Sequence, residues 1–246
     1  MNQVTRRESR QMTRDICQMM QHLFTVWDGQ AADCLKKHEA EGRKPSCHAG
    51  CDACCHIATV ITRVESMAIA DWIHRQPNWL DWAKRLVAAA QPYVDAQYNR
   101  HWYYMQHPPC PFLNLEHKCQ IYEVRPAPCR YYYVFTPAEQ CGDPVKQDVG
   151  IIDMYSLSLQ VLAFQNSAFG RPDASCLPLM VLQGMMDVGW GCGRSDKIEA
   201  LLKGLPSPTE WMFNCMKSKT DIDLKGENHI KDAWERLKAA GVPGTQ

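Results

Sequence analysis

Cys47, Cys51, Cys54 and Cys55 form the run C-x3-C-x2-C-C, and Cys110, Cys119 and Cys129 follow as a second group. Four thiols inside nine residues are too dense for an ordinary core. Cys54 and Cys55 also make a poor disulfide. Adjacent Cα atoms stand about 3.8 Å apart, and a bridge prefers about 5.5–6 Å. Soft thiolates gathered by short loops are the donor set that Zn²⁺ or an iron–sulfur cluster takes. The pattern therefore predicts a metal-binding protein whose cofactor is Zn²⁺, iron or an iron–sulfur cluster.

The residues around the second group suit that chemistry. Pro111, Pro126 and Pro128 restrict the loop, so a site forms there with little added ordering entropy. Arg125 and Arg130 flank Cys129. Guanidinium groups there would offset the charge of several thiolates and donate hydrogen bonds to sulfur; the alternative is ordinary ion pairing with Glu123 or other acids. Cys141 lies within easy reach of Cys129 and is a candidate eighth thiolate. Phe112, Leu113, Ile121 and Tyr122 read as core anchors beside the site. His48, His56, His107 and His117 read as neighbours of the ligands rather than as ligands. Cys17, Cys34, Cys176, Cys192 and Cys215 are scattered and read as core thiols, in keeping with the burial habit of free cysteine.

Taken in order, Cys47-x3-Cys51-x2-Cys54-Cys55, Cys110-Pro111-Phe112-Leu113 and Cys119-x-Ile121-Tyr122-Glu123-x-Arg125-Pro126-x-x-Cys129-Arg130 resemble the cysteine-cluster (YkgJ-like) family of zinc- or iron-chelating proteins. Flagellin lysine N-methylases carry a similar cysteine set. The resemblance spans Cys47 to Arg130. It implies that these seven cysteines are the ligand set, with the metal either zinc or iron. It names no substrate and no partner.

The elements that must position these loops read as helices. Ile16, Met19, Met20, Leu23, Phe24 and Trp27 recur on one stripe of a helix from about Arg6 to Glu41. A second helix is expected from Thr62 to Arg75, with Thr62 and Glu65 as its capping box. A third runs from Asn78 to about His107, where Pro108-Pro109-Cys110-Pro111 stops it. Tyr131–Phe135 has strand composition. Further helices are expected over 151–168, 177–188, 195–203, 208–217 and 228–240, with Gly189–Gly193 as a turn. The fold class is all-α: a mostly helical bundle with irregular cysteine loops organised by metal. Residues 1–45 form an N-terminal helix packing on the core, 46–145 the cysteine-cluster domain, and 146–246 a helical region continuous with the same fold.

Composition narrows the function classes. The chain has 246 residues, is 46% hydrophobic and carries formal net charge +0, so the basic excess of a nucleic-acid binder is missing. No apolar run reaches the ~18 residues of a membrane span. The N-terminus, with Arg6, Arg7 and Arg10, has no apolar stretch of the kind a secretion signal carries. Thirteen cysteines without such a signal point to a reducing cytoplasm and to ligation rather than bridging. The expected partners are neither nucleic acid nor membrane; a protein substrate or partner fits. The C-x3-C-x2-C spacing also fits radical S-adenosylmethionine enzymes, but the flanks are helical and Ala53 stands where those enzymes carry an aromatic. Three functions stay open: a metal-binding protein, an Fe–S oxidoreductase or methylase-like protein-modifying enzyme, and a zinc-stapled interaction module.

Overall fold

The computed structural model describes residues 5–48, 50–95, 109–141, 155–170, 173–208 and 210–211. Helix α1 spans Arg6–Ala40. Thr5 and Glu8 cap its start reciprocally: the Thr5 N–H donates to Glu8 at 2.8 Å and the Glu8 N–H to Thr5 Oγ1 at 3.2 Å. Its inward stripe is Ile16, Met20, Phe24, Trp27 and Ala31, spaced by three or four residues, with Cys17 buried beside Ile16. Met19, expected on that stripe, is 46% exposed because the helix turns it outward.

Two helices make the centre, α2 over Arg63–Arg75 and α6 over Leu177–Cys192. Each is buried on more than one face, and their mutual contact is the most extensive in the fold. A short antiparallel ribbon sets them side by side. Strand β1, Val60–Thr62, pairs with β2, Ala174–Cys176, in the register Val60↔Cys176, Ile61↔Ser175 and Thr62↔Ala174. Each strand runs straight into a central helix, and because the strands are antiparallel the two helices start from opposite ends of the ribbon. The ladder continues beyond it, since the Leu177 N–H donates to the Thr59 carbonyl at 2.8 Å and the Arg63 N–H to that of Asp173 at 3.0 Å. Three-residue strands are too short to leave a period-2 signal, and sequence reasoning missed them.

At the α2–α6 crossing the helices touch backbone to backbone. An added Cβ on Gly184 would stand 2.6 Å from the Ser66 carbonyl oxygen. Arg63, first residue of α2, forks onto Asp187 of α6 at 2.7 and 2.8 Å. At the start of α2 the Thr62 N–H and hydroxyl both donate to Glu65, at 2.8 and 2.7 Å, in the manner expected of a capping box. Helices α3 (Trp79–Asp95), α4 (Ala127–Tyr131), α5 (Tyr155–Phe169) and α7 (Ser195–Leu202) complete the described fold.

The mainly helical expectation holds, with local corrections. Tyr131–Phe135 is not a strand: Tyr131 closes the short helix α4, which Pro128 opens favourably near its N-terminus. Gly189, Trp190, Gly191 and Cys192 continue α6, and only Gly193, left-handed at φ 73°, ends it. Residues 96–107 of the expected third helix, the start of the next over 151–154, most of 208–217 and all of 228–240 lie outside the described residues.

His74 near the end of α2 gives the fold a pH dependence. Its Nε2 donates to the Met185 carbonyl at 3.0 Å, and Arg194 donates to the His74 carbonyl at 2.7 Å and faces Nδ1 at 3.4 Å. These partners suit the neutral Nε2–H tautomer. Burial holds its pKa below the ordinary 6.5 and Arg194 adds to that, while the bond to the Met185 carbonyl and the Asp71 charge oppose it without reversing it. The unfolded chain then binds the proton more readily, so the stabilising contribution is complete above pH 6.5 and declines as pH falls toward the folded value. Melting temperatures measured at pH 7.5 and 5.5 should fall more steeply in the wild type than in His74→Gln; parallel slopes would refute this.

Candidate metal centre

The first cysteine loop leaves α1 at Gly42, which is left-handed at φ 77°. The Ser46 N–H donates to the Val134 carbonyl at 2.8 Å, and the Val134 N–H returns a bond to the Cys47 sulfur. Cys47 is thereby pinned to the segment that follows Cys129. The Cys51 N–H then closes a turn on His48 at 3.0 Å, and a 3-10 turn over Ala53–His56 carries the vicinal pair.

The second loop is tied to the first through backbone. The Cys110 N–H donates to the Cys55 carbonyl at 2.7 Å. Leu113 and Cys119 form an antiparallel bridge, so the chain from Cys110 to Cys119 doubles back on itself. The Asn114 side chain accepts from the Glu116 and Lys118 amides at the tip. Arg85 of α3 grips the base, donating to the Leu113 carbonyl at 2.6 Å. Phe112, fully buried, stacks 5.5 Å from the Trp82 ring and plugs the loop into the core. Ile121 is also buried, as expected, whereas Tyr122 is 62% exposed. Arg125 lies over its ring at 3.8 Å, so the aromatic serves as a stacking platform rather than a core anchor.

Within these loops the thiols of three segments become electrostatic neighbours. Cys54 acts on Cys47, Cys55, Cys110, Cys119 and Cys129. Cys51 acts on Cys47. Cys54 and Cys55 share a thiol hydrogen bond, whose acceptor Cys54 is lowered to about 7 while the donor Cys55 is raised. Burial pushes Cys110 up to about 12 and holds Cys47, Cys119 and Cys129 above the ordinary thiol range. Cys129 keeps a solvent-exposed face although protein packs densely around it. A local motif recurs, in which the amide two residues on donates to the sulfur: Phe112 to Cys110 and Ile121 to Cys119. Such N–H···S bonds stabilise a thiolate on a metal. Cys141 follows the 3-10 turn Ala138–Gln140 and is half-buried.

The donor chemistry of these thiols fits zinc or iron. Their spacing is looser than coordination, since among the described residues no three His, Cys, Asp or Glu side chains stand as a group that would hold an ion. A bound ion would supply the countercharge for buried thiolates and release their protons. The thiols that could hold it are Cys47, Cys51, Cys54, Cys55, Cys110, Cys119, Cys129 and Cys141.

Arg125 and Arg130 stand against this cluster. Arg130, 1% exposed, donates to the carbonyls of Arg125 at 2.8 Å and Glu123 at 2.6 Å and lies over the Phe24 ring. Arg125 donates to the Cys129 and Tyr122 carbonyls, both at 3.2 Å. The acid that both reach is Asp28 of α1, a partner that local spacing could not reveal. Glu65 was legible only as a cap; its second oxygen accepts the Ala127 N–H at 2.7 Å and so seats α4 beneath Cys129. Asp52 also joins the loops, accepting from His117 Nδ1 at 2.6 Å, a bond that lowers its pKa, and lying 3.5 Å from His56 Nε2. His48 is exposed and bonds locally to the Ser46 carbonyl, and His107 lies outside the described residues.

Of the other cysteines, Cys17 and Cys176 are buried and Cys34 packs against the core, as core thiols should. Cys192 is exposed because it closes α6 at the surface, and Cys215 lies outside the described residues. A shallow groove between α1 and α5, lined by Met12, Met19 and Phe164 among others, contains none of the candidate ligands.

Residues 46–158 match the family model CxxCxxCC, described as "Putative zinc- or iron-chelating domain". This stretch, a little under half of the chain, is similar to that family's domain. Its first cysteine separation is three residues here, one more than the family's name spells. No curated protein and no solved structure matches. The CxxCxxCC match begins after α1, so Asp28 lies outside it, and it takes in both cysteine loops and Cys141.

Proposed function

We propose that this protein binds zinc or iron through Cys47, Cys51, Cys54, Cys55, Cys110, Cys119 and Cys129, with Cys141 as an eighth ligand, and that the bound metal locks the two loops onto the helical scaffold. The observation that carries this reading is the convergence on Cys54 of thiols from both loops and from α4. The abundance of thiols supports a cytoplasmic, reducing setting. Seven thiolates exceed the four that one tetrahedral zinc takes. That excess favours a polynuclear centre, which two zinc ions or an Fe–S cluster would each satisfy; the cluster case is the second reading, an Fe–S oxidoreductase or a methylase-like protein-modifying enzyme. A zinc-stapled interaction module is the third reading, and it needs the fewest ligands.

The test is the metal and acid-labile sulfide content of anaerobically purified protein, with its visible spectrum. Stoichiometric zinc or iron supports metal binding. Iron with matching sulfide and absorbance near about 400 nm selects the cluster reading; colourless protein with zinc alone selects the staple. Protein that takes up neither metal on reconstitution would sink the proposal.

A further inference from the structure

We infer that Asp28, on α1 and outside the matched domain, is a positioning residue of the metal centre, the shared carboxylate that holds Arg125 and Arg130 against the ligand loop. The inference rests on the metal-binding reading above.

Three observations combine. First, Asp28 divides its two oxygens between the guanidinium groups: Arg125 Nη2 donates to Oδ1 at 3.3 Å, and Arg130 Nη1 donates to Oδ2. Second, those groups are 8% and 1% exposed, so their charges stand in a medium of low dielectric. Among the described residues, Asp28 is the only acid that forms an ion pair with either. Glu65, the other nearby carboxylate, is occupied by Thr62 and Ala127. Third, Arg125 holds a ligand residue directly, and Arg130 holds the turn that leads to it. Arg125 Nε bonds the Cys129 carbonyl, and its charge acts on Cys54 and Cys119. Arg130 spans the turn before Cys129 through the carbonyls of Glu123 and Arg125. A shift of the Arg125 guanidinium therefore moves the Cys129 backbone and the positive charge beside the thiols together, and a shift of Arg130 loosens the turn that carries both. Asp28 is what opposes that shift.

Asp28→Asn keeps the size and one acceptor oxygen but removes the charge and turns an amide N–H₂ toward a guanidinium. Asp187→Asn is the control, because Asp187 holds Arg63 in a pair at 2.7 and 2.8 Å that is at least as buried on the acid's side, and no cysteine is among the partners of that pair. The full chain is loaded with Zn²⁺ and titrated with a chelator, and the charge-transfer band of the Co²⁺-loaded protein is recorded. Loss of a supporting partner of a ligand typically weakens metal binding about 10–100-fold. That loss, with a shifted Co²⁺ band, is expected for Asp28→Asn, and wild-type affinity and band for Asp187→Asn. Equal affinity in Asp28→Asn and wild type, or equal losses in both variants, would overturn the assignment. A wild type that binds no Zn²⁺ would instead overturn the metal-binding reading itself.

Discussion

Replacing Cys54 by serine is expected to abolish most metal uptake and to lower the melting temperature of purified protein by on the order of 10 °C. Cys47, Cys55, Cys110, Cys119 and Cys129 all lie within electrostatic reach of Cys54, and Cys51 is a neighbour of Cys47. Metal binding free energy is also folding free energy when the site is absent from the unfolded chain. A site held at a thousand times its Kd contributes about 4 kcal/mol. Chains of this size lose about 2–4 °C per kcal/mol, which sets the expected drop. Cys51→Ser and Cys129→Ser should behave alike. Cys34→Ser should keep its metal, since Cys34 packs against the core from α1. Metal analysis and thermal melts of the four variants decide the matter: unchanged metal content in Cys54→Ser would remove it from the ligand set.

The second large effect belongs to the scaffold. Gly184→Ala should destabilise the protein by about 2 kcal/mol. In a helix interior, alanine is worth up to about 1 kcal/mol more than glycine, so propensity alone predicts the opposite sign. The new methyl would stand 2.6 Å from the Ser66 carbonyl oxygen and 2.7 Å from its carbon. Both are backbone atoms, which cannot swing aside as a side chain would. The central helices must separate, and forced overpacking costs about 1–3 kcal/mol or more. Gly29→Ala provides the matched contrast. Gly29 lies within α1, and an added Cβ there meets nothing within 4 Å, so that change should stabilise by about 1 kcal/mol. Denaturant melts of both variants read the difference. Gly184→Ala as stable as wild type would show that the α2–α6 contact yields more easily than a backbone contact should.

The two central helices also explain what could be read from the chain alone. Long amphipathic or apolar segments announce themselves by periodicity, so α1 and α2 begin and end within a residue of the expected bounds, and α6 begins where expected. The Thr62–Glu65 pairing was equally legible, because a cap is a contact three residues long. The cysteine chemistry was legible for a similar reason: donor softness belongs to residue type, and the spacing of the run is local. Tertiary structure decided the rest. The β1–β2 ribbon joins residues more than a hundred positions apart over only three pairs, too few to leave a pattern in either strand. Asp28 and Arg130 are similarly remote, and an isolated aspartate on a helix looks like any solvated charge until the fold brings two buried guanidinium groups to it. Tyr122 and Met19, apolar enough to be assigned to the core, face outward because neighbours on the same turn fill the interior first. Sequence by itself determined which atoms can hold a metal, since that is a property of sulfur. Which thiols become neighbours, and which charges hold them there, depends on long-range packing.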